Sequence, residues 1–599
     1  MTDSQSPVKA QETAPAAPLP QAPPPPAWLT RAAKRSFPLL ALLGLLLWLP
    51  GILSLPALDR DESRFAQSSR QMVESGDVVD IRFGHVPRYK KPVGVYWLQA
   101  ASTRVAGLFP GNQGRDDRIW TYRLPSLAAA IAASWLTAWC ALALAGAEAG
   151  LLAGLLILGT VLLTAEATMA TTDAVLLACV LGMQGVLLRL YRAAREPEIA
   201  SPPNRLVMWG WASLGFGILI KGPVILGVAA ATLIGLVAWD WWEARRNRKP
   251  DAPAAEPAWA WLTVLKSWRG LLLVLLLILP WLIAITVQSR GAFLEESLGN
   301  DFAAKIAGGQ ESHGRWPGTY LLLSAASLWP SILFVPPALA WAFARRSEPG
   351  IRFLLAWALS WWLLLELVPT KLPNYVLPAF PPLAILAALY VLNPQPARWL
   401  APARWIGVVQ FVVGAGLFGA ALILASRTYG GGTTWPVWAA AGVGASLALA
   451  ALVTAILRKV IAAALLGFVS LLVFTPALTA YVGPRLDQLW ISERLKQTVE
   501  ALSRPNDSAL AIAGYQEPSL VFALGKDVVL ADGRGAAEAS ARTGSLALVE
   551  DEYRGDFLAR LAELQADAKE VGEVSGMNYS RGRKVHVIVY RVAQLRELN

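Results

Sequence analysis

Long apolar runs separated by short polar connections dominate the chain from residue 37 to about residue 482. The first run reads FPLLALLGLLLWLPGILSLPAL (37–58). A helix of about 20 apolar residues crosses the hydrocarbon core of a bilayer, so the pattern predicts a polytopic α-helical membrane protein with about thirteen spans. They are expected near 37–58, 124–145, 149–164, 171–191, 206–220, 222–242, 270–288, 318–343, 353–369, 375–392, 405–426, 435–457 and 460–482. With loops numbered alternately from an inside N-terminus, the inside set collects Arg189, Arg192, Arg195, Arg205, Arg245, Arg246, Arg248, Lys249, Arg345, Arg346, Arg352, Arg398, Arg404, Arg458 and Lys459. This is the asymmetry of the positive-inside rule, and one miscounted span would invert every later loop.

The pattern changes at both ends. Residues 1–30 are rich in Pro, Ala and Gln. Such a composition buries no core, so residues 1–35 are expected as a disordered cytoplasmic tail. It lacks the early apolar segment of a cleaved signal, which makes the first span an uncleaved anchor. Residues 36–484 then form the membrane domain. Beyond residue 485, SALAIAGY, DVVLAD, SLALVED and KVHVIVYRV are strand-like, and EPSLVFAL and YRGDFLARLAELQADA are helix-like. Residues 485–599 are expected as a small α/β domain on the outer side, acting as a lid or cap.

One stretch, DRDESRFAQSSRQMVESGDVVDIRFGHVPRYKKPVGVYW (59–97), sets charges of both signs between two spans. Phe65, Met72 and Val73 recur near helical spacing, which predicts an amphipathic helix on the interface with Asp61 and Arg64 on one face. The loop parity places four more polar anomalies on the same outer side. These are Asp173 in TMATTDAVLL, Lys221 in LIKGPV, the 299–318 loop with His313, and the 368–384 turn with Lys371 and Tyr375. Ionisable groups at membrane depth are costly and usually functional.

Composition narrows the chemistry. The chain is 55% hydrophobic and 16% charged. Its net charge of +11 lies in short loops where orientation needs it, so no nucleic-acid partner is expected. Cys140 and Cys179 sit inside apolar spans, and three scattered histidines make no metal centre, so neither disulfide, metal nor cofactor is expected. There is no P-loop or dinucleotide-binding fingerprint. Instead, carboxylates (Asp59, Asp61, Glu62, Asp173) stand beside cations (Arg64, Lys91, Lys221, Lys371) at a lipid boundary. Carboxylates can accept a proton from an attacking hydroxyl, and cations can hold a phosphate as it leaves. The pattern points to transfer from a lipid-phosphate donor to a hydroxyl acceptor.

RDESRFAQSSRQMVESGD, YKKPVGVYWLQ, TTDAVLL, IKGP, the PW pair at 280–281, ESHGRWP and TKLPNYVLPAFPPLA follow in this order over roughly residues 35–395. The set resembles the bacterial aminoarabinose transferases and their protein O-mannosyltransferase relatives, the GT-C membrane glycosyltransferases that use polyprenyl-phosphate sugars. The resemblance implies that Asp61 is the leading carboxylate at the acceptor, that Arg64, Lys91 and Lys221 contact the phosphate, that Asp173 is a second acid and that Tyr375 is a donor-side contact. Glu62, Lys371 and His313 complete the candidate set. The chain departs from the pattern at Lys90, where an acid that can help hold a metal is usual, and at Pro92-Val93, where two prolines are usual. Asp59 is an additional acid. The function implied is transfer of a sugar from an undecaprenyl-phosphate-type donor to a lipid A-type glycolipid at the periplasmic face of the inner membrane. Transfer to Ser or Thr of a protein is the alternative acceptor. A flippase for lipid-linked sugars would place its charges near mid-bilayer in repeated halves, whereas here they gather at one face.

Overall fold

The computed structural model describes residues 25–246, 259–297, 299, 316–394, 398–504 and 510–594. Each predicted apolar run coincides with a helix or a short series of helices. The helices before residue 290 are α1 (Ala27–Ala33), α2 (Ser36–Ser54), α3 (Asp61–Ser75), α4 (Gly94–Ala106), α5 (Ile119–Leu158), α6 (Val161–Ala167), α7 (Asp173–Ala193), α8 (Asn204–Lys221), α9 (Val224–Arg246) and α10 (Trp268–Gln288). Then come α11 (Thr319–Ser327), α12 (Val335–Ala344), α13 (Pro349–Leu367), α14 (Phe380–Leu392), α15 (Ala401–Tyr429), α16 (Trp435–Ile456) and α17 (Val460–Pro476). Among the described residues, 10 helical segments are long and apolar enough to cross a membrane. The protein is a multi-pass membrane protein.

The expected break between the spans at 124–145 and 149–164 falls where α5 kinks, at Ala145 and at Gly146, whose φ of 82 suits a residue without Cβ. Two expectations are corrected. Residues 27–33, expected within the tail, form α1, which buries Leu29 and Ala33 against α2 and α5. The second correction is α3. It does not lie open on the interface. Glu62, Ser63, Gln67, Ser68, Ser69 and Gln71 are buried along with Phe65 and Met72, because α3 is sandwiched between α4 and the C-terminal domain.

That domain contains α18 (Ile491–Leu502), α19 (Pro518–Leu524), α20 (Gly533–Thr543) and α21 (Asp551–Glu563). Its strands are β3 (Ala511–Ala513), β4 (Val529–Ala531), β5 (Leu546–Glu550), β6 (Ala568–Asn578) and β7 (Arg583–Val592), after a two-stranded β1 (Arg82–Phe83) and β2 (Val86–Pro87) ribbon in the 59–97 stretch. The sheet order is β4-β3-β5-β7-β6, with β3 parallel to β4 and β5, and β7 antiparallel to β5 and β6. The strand- and helix-like segments of the sequence coincide with β3, β4, β5, β7, α19 and α21. The sequence reading did not separate α18, α20 and β6.

The domain is tied to α3 and its lead-in. Ser519 donates to the Asp59 carboxylate, and the Asp59 amide donates to the Tyr579 hydroxyl at 2.7 Å. Arg60, at φ 63 an L residue in the left-handed region, donates to the Ser580 carbonyl. Arg70 reaches the Phe522 carbonyl at 3.1 Å, and Lys526 pairs with Glu74 at 3.1 Å. Lys496 pairs with Asp117 at 3.0 Å. Phe522 packs edge-on against Tyr122, with ring centroids 5.6 Å apart.

Candidate active site

The start of α3 is set by one buried arginine. Arg123, fully buried in α5, holds both oxygens of Glu62 at 2.8 and 2.9 Å and the carbonyls of Ile52, Leu55 and Pro56 at 2.7–3.0 Å. Glu62 also accepts from the amides of Leu58 and Ala170, each at 2.8 Å. Its oxygens are thus spent on fixing the chain, which takes it out of the acid–base candidates. The next residue back is the reverse case. Asp61 keeps 67% of its side chain exposed, with Arg64 at 3.9 Å and Arg88 at 4.0 Å. Arg88 is itself mostly buried, lying over the Phe65 ring at 5.5 Å. A carboxylate between two guanidiniums, open on one side, can take an acceptor's proton while the cations face a phosphate.

A second cluster comes from α6, α7 and α8. The Lys221 ammonium, at the C-terminal end of α8, donates to Asp173 at 2.6 Å, and both side chains are less than 10% exposed. Lys221 also lies 5.4 Å from the centre of the Tyr375 ring. Glu166, buried near the end of α6, accepts from Thr171 at 2.7 Å and interacts electrostatically with Asp173, Lys221 and Asp61. The Ala170 amide, in the loop between α6 and α7, donates to Glu62 beside Asp61 at 2.8 Å, which sets the two clusters on the same side of the molecule.

The geometry of the motifs explains their spacing. In YKKPVGVYW, a Cβ on Gly94 would lie 2.7 Å from the Leu219 carbonyl oxygen. Only glycine lets α4 start against the end of α8, which brings the Lys91 loop beside Lys221. In IKGP, Gly222 turns the chain with φ +62 immediately after Lys221. In the PW pair, Trp281 donates to the Val79 carbonyl at 3.2 Å, and Gln288 donates to Asp77 at 2.9 Å. The end of α10 thereby pins the loop that carries Arg88 and Lys91.

Not every predicted residue faces the site. Lys371 is buried, and its ammonium donates to the carbonyls of Leu365, Glu366 and Val368 at 2.7–3.0 Å. It satisfies the orphan carbonyls at the end of α13, which corrects its expected place as a phosphate contact. His313 lies outside the described residues. The sequence reading missed Glu166, Arg88 as a site residue, and Arg123. Glu166 carried a signal: it is a lone acid at the end of an apolar run. Among the described residues, no group of three or more His, Cys, Asp or Glu could hold a metal ion, and Lys90 occupies the position of the usual acid.

The family profile for dolichyl-phosphate-mannose-protein mannosyltransferase matches residues 56–291. The undecaprenyl phosphate-alpha-4-amino-4-deoxy-L-arabinose arabinosyl transferase of Edwardsiella ictaluri is 25% identical over 393 residues, covering 64% of this chain and 62% of the relative. The chain thus spans about three-fifths of the length of the curated relatives it matches. The crystal structure of ArnT from Cupriavidus metallidurans in the apo state aligns with a TM-score of 0.69 at 18% identity, over 95% of this chain and 100% of that one. The same protein bound to undecaprenyl phosphate aligns with a TM-score of 0.67 at 19% identity, over 94% and 99%. The chain is thus similar to aminoarabinose transferases and protein mannosyltransferases and shares the fold of ArnT. The profile match covers α3, α4 and the Asp173–Lys221 pair.

Proposed function

We propose that the protein is a glycosyltransferase of the inner membrane that moves a sugar from an undecaprenyl-phosphate-type donor to a lipid A-type glycolipid at the periplasmic face. The observation that carries this reading is the exposed Asp61 carboxylate between Arg64 and Arg88, on the same side of the molecule as the buried Asp173–Lys221 pair beneath Tyr375. The arabinosyl transferase names of the relatives favour a pentose, and the ArnT structure holding undecaprenyl phosphate favours that donor lipid.

In the reaction, an acceptor oxygen attacks the anomeric carbon, and the bond from that carbon to the donor phosphate oxygen breaks. The phosphate leaves with the electron pair, still attached to its lipid. Arg64, Arg88 and Lys91 stabilise the charge that grows on it. Lys221 contributes from the Tyr375 side, held in place by Asp173. When the acceptor is a hydroxyl, its proton passes to Asp61. When it is a phosphate oxygen, Asp61 orients it. A single displacement inverts the sugar carbon.

The mannosyltransferase profile favours a second acceptor class, Ser or Thr of a protein. Incubating the purified protein with an undecaprenyl-phosphate aminopentose and lipid A separates the two. A mass gain on lipid A supports the proposal. A gain only on an added peptide, or on neither acceptor, contradicts it.

A further inference from the structure

At the membrane face opposite the candidate active site, the helices splay apart. A groove opens between α12, the last turn of α14, the start of α15 and the α16–α17 connection. Its walls are apolar, including Pro337, Val408 and Ala455, and its mouth carries Arg404 and Arg458. Arg404 donates to the hydroxyl of Tyr390 at 3.0 Å, which fixes the guanidinium at the rim. The Arg458 side chain is exposed and makes no hydrogen bond or ion pair with any described residue. Trp399 and Trp405 stand beside them, 55% and 60% exposed, as tryptophans do at the level of the headgroups. The Arg458 cation at headgroup depth, without an acidic partner among the described residues, calls for an anion.

We propose that this groove binds one anionic phospholipid, with its phosphate on Arg404 and Arg458 and its acyl chains along Pro337, Val408 and Ala455. The donor lipid is a poor fit for the same place. Tyr375, at the active-site end of the segment that becomes α14, and Tyr390, at the groove, are separated by about 20 Å of helix at 1.5 Å per residue. A donor phosphate seated here could not reach Lys221. The bound phospholipid instead bridges α12 and α14, which continue toward Tyr375, to α15, α16 and α17.

The test uses the full-length protein, stripped of lipid in detergent and titrated with phosphatidylglycerol or phosphatidylcholine while thermal unfolding and native mass are followed. Wild type should retain one phosphatidylglycerol and be stabilised by it, and phosphatidylcholine should do neither. R404Q with R458Q should bind phosphatidylglycerol about 30-fold more weakly, taking about fivefold per arginine at an anionic headgroup. Val408→Trp keeps both arginines and fills the groove, so it should lose the lipid as well and keeps the test decisive if the double variant misfolds. Equal stabilisation by phosphatidylcholine, unchanged binding in both variants, or recovery of a polyprenyl phosphate from the groove would overturn the proposal. None of these readouts involves sugar transfer, so they are independent of the proposed reaction.

Discussion

Three neighbouring acids, Asp59, Asp61 and Glu62, have three different roles, and the difference comes from partners far away in sequence. Glu62 is claimed by Arg123, 61 positions on. Asp59 is claimed by Ser519, 460 positions on. Nothing in the letters DRDE separates them, which is why the sequence could nominate all three and sort none. Lys371 was misassigned as a site cation, although a lysine just past an apolar helix commonly caps it. Asp59 yields a pH prediction. Burial at the domain contact raises its carboxyl from 3.8 to about 6, with Glu517 adding to the rise and the Ser519 hydroxyl opposing it. The folded state thus holds the proton more tightly than the unfolded chain. The stability that Asp59 contributes is greatest below about pH 4 and falls as pH rises through about 6. Above that the full cost of the buried charge, roughly 3 kcal/mol, is present. Asp59→Asn removes the charge, so it should raise the unfolding temperature at pH 7.5 and leave it nearly unchanged at pH 4. An equal shift at both pH values would show that the carboxyl charge is not the cause. The partner pair gives the opposite sign: Arg123→Met strands the Glu62 carboxylate in the interior and should destabilise by about 3–5 kcal/mol, read from thermal unfolding.

At the scale of elements, apolar runs and period-two strands were legible because their signal is local. The helix α3 was legible as a helix but not as a buried one. Its Gln67, Ser68 and Ser69 read as solvent-facing until the C-terminal domain covers them. The kink in α5 was legible as the break between the apolar runs at 124–145 and 149–164. The contact between α4 and α8 has a direct consequence. Gly94→Val adds a side chain where a Cβ already meets backbone at 2.7 Å, so α4 must back away from α8 without loss of any charged group. A shift of about 1 Å at a positioned site can cost about 10²-fold in rate. Turnover by purified Gly94→Val should fall by that order with membrane insertion intact, and near-normal turnover would remove the α4–α8 contact from the function.

For the whole molecule, one side of the membrane gathers the Asp61 and Asp173–Lys221 clusters and the C-terminal domain that covers α3. The distribution of Lys and Arg predicts that this side is outside. A periplasm-dependent reporter fused after residue 599 should be active, and activity of a cytoplasm-dependent reporter instead would put the site on the wrong face for a periplasmic acceptor. Seven motifs made the resemblance legible in the sequence. The placing of the two clusters on one side was not, because it depends on how α3 packs beside the α6–α7 loop and α4 beside α8. The central claim is that Asp61 acts on the acceptor on that side. The measurement that tests it most directly is sugar transfer from an undecaprenyl-phosphate donor by purified Asp61→Asn, beside wild type and Asp59→Asn. We expect Asp61→Asn to insert and fold normally while turning over about 10²–10⁴-fold more slowly, with Asp59→Asn close to wild type. Near-normal turnover by Asp61→Asn would contradict the account.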